Sequence, residues 1–320
     1  MTPPACSDAV VVPGFPGPAS LAESRAASWP ADLSSLCRPR IAVMELATVA
    51  AALWLTGGRP ESPLAVALLL VGTALVAASS SVANQILERD TDRAMPRTAS
   101  RPIAAGRLAV RDAWWLAAGT LALGCLAMTS AADWRPTAAA VATWLLYVLA
   151  YTPLKRTTPL NTAVGAVAGA LPVAIGWLAA GGPERLAAGD ARGTLAAAAL
   201  ATVLYLWQFP HFMAIAWLYR RQYEAAGLQM LTVVDPSGLR AAGQSLAASL
   251  AMVPASLVLA VPSGSVRLFF VAAVASVVYV GFAVRFAVRR DDASARGLLL
   301  TSLGSLLGLL VATVAFGRPI

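Results

Sequence analysis

Nine long apolar segments leave this chain little choice of fold. They run at about Ile41–Thr56, Leu64–Ala83, Ala113–Ser130, Pro136–Tyr151, Leu160–Ala180, Thr194–Tyr219, Leu239–Val261, Val266–Val288 and Gly297–Phe316. A helix crosses a hydrocarbon core of roughly 30 Å with about 20 such residues, and about 17 is the lower limit. Inside lipid the backbone must satisfy its own hydrogen bonds, so segments of this length are helices. Only 12% of the 320 residues are charged, against about 25% in a soluble domain. The expected fold is all-α: a polytopic protein of the lipid bilayer with nine transmembrane helices. Residues 1–38, rich in Pro, Ala, Ser and Gly, lack the basic start and apolar core of a signal peptide and read as a disordered cytoplasmic tail. Residues 39–320 then form one intramembrane domain.

Charge orients the bundle. Eighteen of the 24 basic residues lie in the tail and in the second, fourth, sixth and eighth connections. The positive-inside rule puts the N-terminus in the cytoplasm and the C-terminus outside, in a plasma (inner) membrane. The arginines are scattered between spans and form no basic domain, which argues against a nucleic-acid partner. Cys6, Cys37 and Cys125 are isolated, so neither a disulfide framework nor a zinc site is indicated.

Three of these connections carry more than charge. The stretch Asn84–Pro102, NQILERDTDRAMPRTASRP, directly continues an uncharged span. Four-residue steps put Asn84, Glu88 and Asp92 on one helical face, with Asp90 pointing elsewhere, and Arg93, Arg97 and Arg101 follow at the same spacing. Oxygen donors beside guanidinium groups suit Mg²⁺ bridging to a diphosphate. The same charges also fit a solvated loop of local ion pairs, but an acidic face at the end of a span is costly unless something uses it. The fourth connection places Tyr151 four residues before Lys155, then Arg156, between Pro153 and Pro159. These cations suit an anion, or simply mark topology. In the sixth span the only histidine, His211, follows Pro210 and lies among Trp207, Phe209, Phe212 and Trp217, ahead of Arg220 and Arg221. It is either a packing residue or a partner for a polar substrate. Together the three segments converge on metal-assisted ionisation of a prenyl diphosphate, with apolar walls sheltering an allylic cation.

On these motifs the chain resembles the UbiA superfamily of intramembrane prenyltransferases over about Ile41–Phe316. The family's Asn-Asp-x-x-Asp-x-x-x-Asp motif stands here as Asn84-Gln85-x-x-Glu88-x-x-x-Asp92, followed by RTxxRP at Arg97–Pro102, and its Tyr-x-x-x-Lys motif as Tyr151 and Lys155. LKRTTPLNTAVGAVAGALPVAIGW (Leu154–Trp177), WQFPHF (Trp207–Phe212) and RRQYEAAGLQMLTVV are similar to the branch that farnesylates heme. That resemblance implies a nine-helix bundle with farnesyl diphosphate and heme B as substrates, and Mg²⁺ held by Asn84, Glu88 and Asp92. It implies catalytic roles for those three with Tyr151 and Lys155, and diphosphate binding by Arg97, Arg101, Lys155 and Arg156, with Arg220 and Arg221 added here as cations standing in for a missing acid. His211, Trp207, Phe212 and Tyr223 would lie on the heme side, and heme A synthase or terminal oxidase assembly would take the product. Two departures stand out. Glu88 replaces the usual Asp, and Arg221-Gln222-Tyr223 lacks the acid that the family has before the tyrosine. The competing readings are a superfamily member that prenylates a quinone or chlorophyll precursor, an anion transporter, and an inactive assembly scaffold.

The charge asymmetry makes a direct prediction. A reporter active only outside the cytoplasm gives signal when fused after Ile320 and none when fused after Arg111; the reverse pattern inverts the topology.

Overall fold

The computed structural model describes residues 28–57 and 62–317. Among them every regular element is a helix, and nine are long and apolar enough to cross a membrane. These are α1 Pro39–Thr56, α2 Pro63–Leu87, α3 Val110–Ala131, α4 Trp134–Leu154, α5 Asn161–Ala179, α6 Arg192–Leu218, α7 Leu239–Ala260, α8 Val266–Arg289 and α9 Asp292–Phe316. All nine expected spans are present. Two boundaries differ by about a turn: α2 continues to Leu87, and α9 begins at Asp292 behind a capping box in which Asp291 and Ser294 bond each other's backbone.

The tail is shorter than its composition implies. Residues 29–37, expected to be disordered, form a helix, Trp29–Cys37. Its Leu36 is fully buried. Asp32 pairs with Arg107 at 2.6 Å, and the Gln85 amide donates to the carbonyls of Ser35 and Leu36 at 3.1 and 3.0 Å. A helix this short is marginal alone and is held by such tertiary contacts. Residues 1–27, with Cys6, lie outside the described residues.

Close helix approach rests on small residues, as in other membrane bundles. At the α2–α3 crossing a Cβ on Gly72 would sit 2.8 Å from the Gly124 carbonyl oxygen. Gly176 of α5 leaves room for the backbone of Val49 in α1. Helices α6 to α9 share the largest apolar core, which includes Leu200, Val203, Leu259, Tyr279, Phe286 and Leu298. Trp54 donates to the Gly317 carbonyl at 3.0 Å, tying α1 to the end of α9. Trp115, Leu126, Phe270 and Leu300 point outward, an apolar exterior that suits lipid.

Two spans are interrupted. Leu146–Tyr151 in α4 forms a π turn, which shifts the register of the residues beyond it. Pro172 splits α5 at Leu171, because it has no N–H for the helical ladder. Pro210 and Pro254 lie inside helices that continue past them.

Filling the α2–α3 contact tests the packing argument. Gly72→Val forces a side chain against the Gly124 carbonyl, an overpacking that costs about 1–3 kcal/mol. It lowers the Tm in detergent, whereas Gly119→Val, with open space at its Cβ, leaves it unchanged; intrinsic fluorescence on heating reads both.

Candidate active site

At one end of the bundle α2 stops at Leu87. Glu88 makes a bend (φ −90°, ψ 4°), and a second short helix, Arg89–Ala94, begins. The face expected from four-residue spacing survives that bend. Asn84, Glu88 and Asp92 are all buried, while Asp90 is exposed and pairs with Arg89 and Arg93.

Each buried group of that face has a cation from a different part of the chain. Lys155 donates to Glu88 Oε1 at 2.7 Å. Arg101 Nη1 lies 2.7 Å from both oxygens of Asp92 and 4.0 Å from Glu88 Oε2. Arg38 Nη2 donates to Asn84 Oδ1 at 3.1 Å. Two carboxylates thus face three cations, leaving one positive charge in excess.

Backbone irregularity delivers these groups. The π turn in α4 lets Thr152 bond the Tyr147 carbonyl five residues back, at 2.9 Å. The same hydroxyl accepts from Asn84 Nδ2 at 3.0 Å and fixes that amide. Tyr151, the last residue of the turn, lies under Lys155 with the ammonium 4.3 Å from its ring centroid, a cation–π contact. Gly165 of α5 makes room for that ring, since a Cβ there would meet Tyr151 at 2.7 Å.

The two ion pairs differ in electrostatic character. Burial pushes the Glu88 carboxyl up, but Lys155, Arg38 and Arg101 outweigh it and hold Glu88 below the usual carboxylate value. Burial likewise pushes Lys155 down, and Glu88 with the neighbouring tyrosines more than reverses it. Both members of this pair favour charge. For Asp92 burial wins over Arg101, and its carboxyl is raised; burial also lowers Arg101, with Arg38 adding repulsion.

Of the other expected site residues, some border this cluster and some do not. Arg156 donates to the Leu87 carbonyl at 3.1 Å, beside the cluster. Arg97 stacks on Tyr219, 4.8 Å from its ring centroid. Tyr223 is buried with Met95, Leu228 and Met230, and Gln229 N–H bonds the Lys155 carbonyl at 2.7 Å. The second, fourth and sixth connections therefore do meet. Arg220 engages Asp292 at 2.9 Å and stacks on Trp217; with exposed Arg221 it borders a separate shallow cleft of about 280 Å³. His211 accepts or donates at Nδ1 to Ser302 Oγ of α9 at 2.8 Å. It stacks on Trp207, 4.6 Å between centroids, with Phe212 edge-on. Trp207 also donates to the Ser302 carbonyl at 2.7 Å, so this group belongs to the α6–α9 contact and not to the carboxylate cluster.

Sequence reasoning missed Arg38 and Thr152. Arg38 counted only as tail charge; its signal was Pro39, which marks the first turn of a helix and so sets Arg38 at its end. Thr152 depends on the π turn, which no spacing rule reveals.

The fold and this cluster define an intramembrane helical bundle built around a buried, charge-paired polar site. The chain belongs to the UbiA prenyltransferase family, whose model matches residues 46–312. It is 44% identical over 225 residues to a "Protoheme IX farnesyltransferase" of Rhodopirellula baltica, covering 70% of this chain and 76% of that one. It is 38% identical over 290 residues to a protein of the same name from Opitutus terrae, covering 88% and 93%. Its fold is similar to a UbiA homologue from Archaeoglobus fulgidus solved with DMAPP and Mg²⁺ (TM-score 0.61, 18% identity, 89% of this chain and 99% of that one).

The charge pairing has a measurable consequence. Glu88→Gln leaves the Lys155 ammonium without its charged partner, and breaking a buried pair from one side costs about 3–5 kcal/mol. A thermal melt in detergent shows a lower Tm for Glu88→Gln and no change for Asp90→Asn, whose carboxylate is solvated.

Proposed function

We propose that this chain transfers the farnesyl group of farnesyl diphosphate to a vinyl group of heme B, giving heme O. The observation that carries the reading is the combination of a cation-rich, carboxylate-bearing site at the end of an apolar bundle with 44% identity to a protein named for that activity.

The donor set fits a divalent metal. Asn84, Glu88 and Asp92 offer hard oxygens from one face, the chemistry that Mg²⁺ prefers. Each of these residues now faces Arg38, Lys155 or Arg101, so positive charge already stands where a metal would bring it. Asn84, Glu88 and Asp92 would hold the ion, and bound Mg²⁺ supplies charge neutralisation to the leaving diphosphate.

The chain's own residues do the rest. Lys155 and Arg101 turn from the carboxylates, and Arg38 from the Asn84 amide, to the diphosphate oxygens and stabilise charge as the C–O bond breaks. Arg97 and Arg156, at the margin, add to the field. The Tyr151 ring offers its π face to the allylic cation left behind. The apolar interior keeps water from that cation before it meets the vinyl carbon. His211, with Nδ1 committed to Ser302, keeps Nε2 for the heme, flanked by Trp207 and Phe212. Arg220 and Arg221 are directed to Asp292 and the shallow cleft, which favours Arg38 over them as the third cation. The site faces the cytoplasm, where farnesyl diphosphate is soluble, and the product passes to terminal oxidase assembly.

Two measurements test this. Expression in a host deleted for its own heme-farnesylating enzyme yields heme O in extracted membranes; unaltered heme B with the protein present in the membrane sinks the assignment. Asp92→Asn cuts heme O formation by about 100-fold, the scale for loss of a catalytic electrostatic group, whereas Asp90→Asn stays within about twofold of wild type. Equal losses would reject the buried face as the active one.

A further inference from the structure

One intramembrane acid is unused by the chemistry above. Glu45 lies in α1, and among the described residues it has no hydrogen bond or ion pair. Ionisable groups inside a span are costly and mark function by default. Its helical face is the inner one. Thr48, Val49, Ala52 and Thr56, which come after Glu45 at steps of three and four, are all buried, while Val43 and Trp54 on the opposite side are exposed. Glu45 itself is only half-buried, and Ile41, one turn earlier on the same face, is 58% exposed. The first two turns of α1 are therefore less tightly packed than the rest of the helix, and Glu45 stands where its inner face begins to be covered.

Glu45 and His211 lie at similar depths in the bundle. It lies seven residues past Arg38, about 10 Å further into the membrane, and His211 lies seven residues before the end of α6, at a similar depth. Helices α1 and α6 pack against each other. Between the diphosphate cluster at the mouth and the apolar core below, the bundle thus holds one unpartnered carboxyl and one imidazole.

Resting on the farnesyl-transfer reading, we propose that Glu45 is the proton acceptor for the water that completes the reaction. Farnesyl C1 bonds to the terminal vinyl carbon as its bond to the diphosphate oxygen breaks, the electron pair leaving with the diphosphate. The inner vinyl carbon becomes cationic. A water oxygen gives its electron pair to that carbon, and one of its protons passes to the Glu45 carboxylate, then to solvent. Without an acceptor beside the water, the cation instead gives a proton from the adjacent carbon to the released diphosphate, and the electron pair of that C–H bond forms the alkene. Glu45 therefore decides between a hydroxyl and a double bond in the product.

The test uses the full chain in lipid nanodiscs with heme B and farnesyl diphosphate, products being resolved by mass spectrometry. For Glu45→Gln the ratio of hydroxylated product to the alkene lighter by one water falls by about 100-fold, the usual scale of general-base assistance, with farnesyl diphosphate still bound. Glu45→Asp, whose carboxylate is set back by one methylene, falls between the two, at about a tenth of the wild-type ratio. A wild-type ratio in Glu45→Gln overturns the role, as does loss of both products together. Where the Gln variant does not fold, Glu45→Asp decides alone: an unchanged ratio overturns the role and a reduced one supports it. Absence of heme O from the wild-type chain overturns the farnesyl-transfer reading, and this inference with it.

Discussion

Two carboxylates buried at the end of a membrane helix cannot stand alone, and much of this molecule's architecture comes from supplying their partners. Taking an ion out of water costs several kcal/mol even after relaxation, and only close, well-bonded counter-charges return it. Glu88 and Asp92 receive theirs from the α4–α5 connection and from the loop that precedes α3. Asn84, one turn earlier, is met by Arg38 from the start of α1. Three segments far apart in sequence, the start of α1, the α2–α3 connection and the α4–α5 connection, are thereby drawn to one point, and the spans attached to them are drawn in with them. The result is a site with more positive than negative charge, which is a poor way to maximise stability and a good way to receive a polyanion.

The apolar spans were legible from the sequence because their signal is long and redundant. The Asn84–Glu88–Asp92 face was legible because four-residue spacing is a local geometric property, robust even to the bend at Glu88. Lys155 could be singled out, but not its partner: nothing in its spacing says that it reaches Glu88, 67 residues away. Arg38 was lost for a related reason. A tail rich in Pro, Ala and Ser reads as disordered, and only long-range contacts, Asp32 with Arg107 and Gln85 with the carbonyls of Ser35 and Leu36, reveal that its last turns are docked. Gln85 occupies the place where the family motif has Asp. An amide can donate to both carbonyls and a carboxylate cannot, so this departure from the motif makes physical sense only once the N-terminal helix is seen. Arg220 reads from the sequence as a cation standing in for the missing acid, and spacing gives no sign that its side chain meets Asp292 at the start of α9.

Irregular backbone is the last clue, and it is concentrated where the chemistry is. In a membrane, broken helical ladders are tolerated only where protein or a polar cavity satisfies the freed groups. Arg38 adopts a left-handed conformation (φ 47°, ψ 62°) unusual for a residue with a side chain. Glu88 interrupts α2, and the π turn interrupts α4 just before Lys155. Arg290, the other non-glycine residue with positive φ among the described ones, ends α8 by bonding its N–H to the Phe286 carbonyl, an ordinary helix stop. What separates the three irregularities at the site from that stop is that each delivers a charged side chain to the same cluster. A regular helix fixes where its residues point, and three of them could not have aimed Arg38, Glu88 and Lys155 at one another. The bends are what allow a bundle of nearly straight spans to assemble a focused charged site, and the pairing among those charges is what makes the bends affordable.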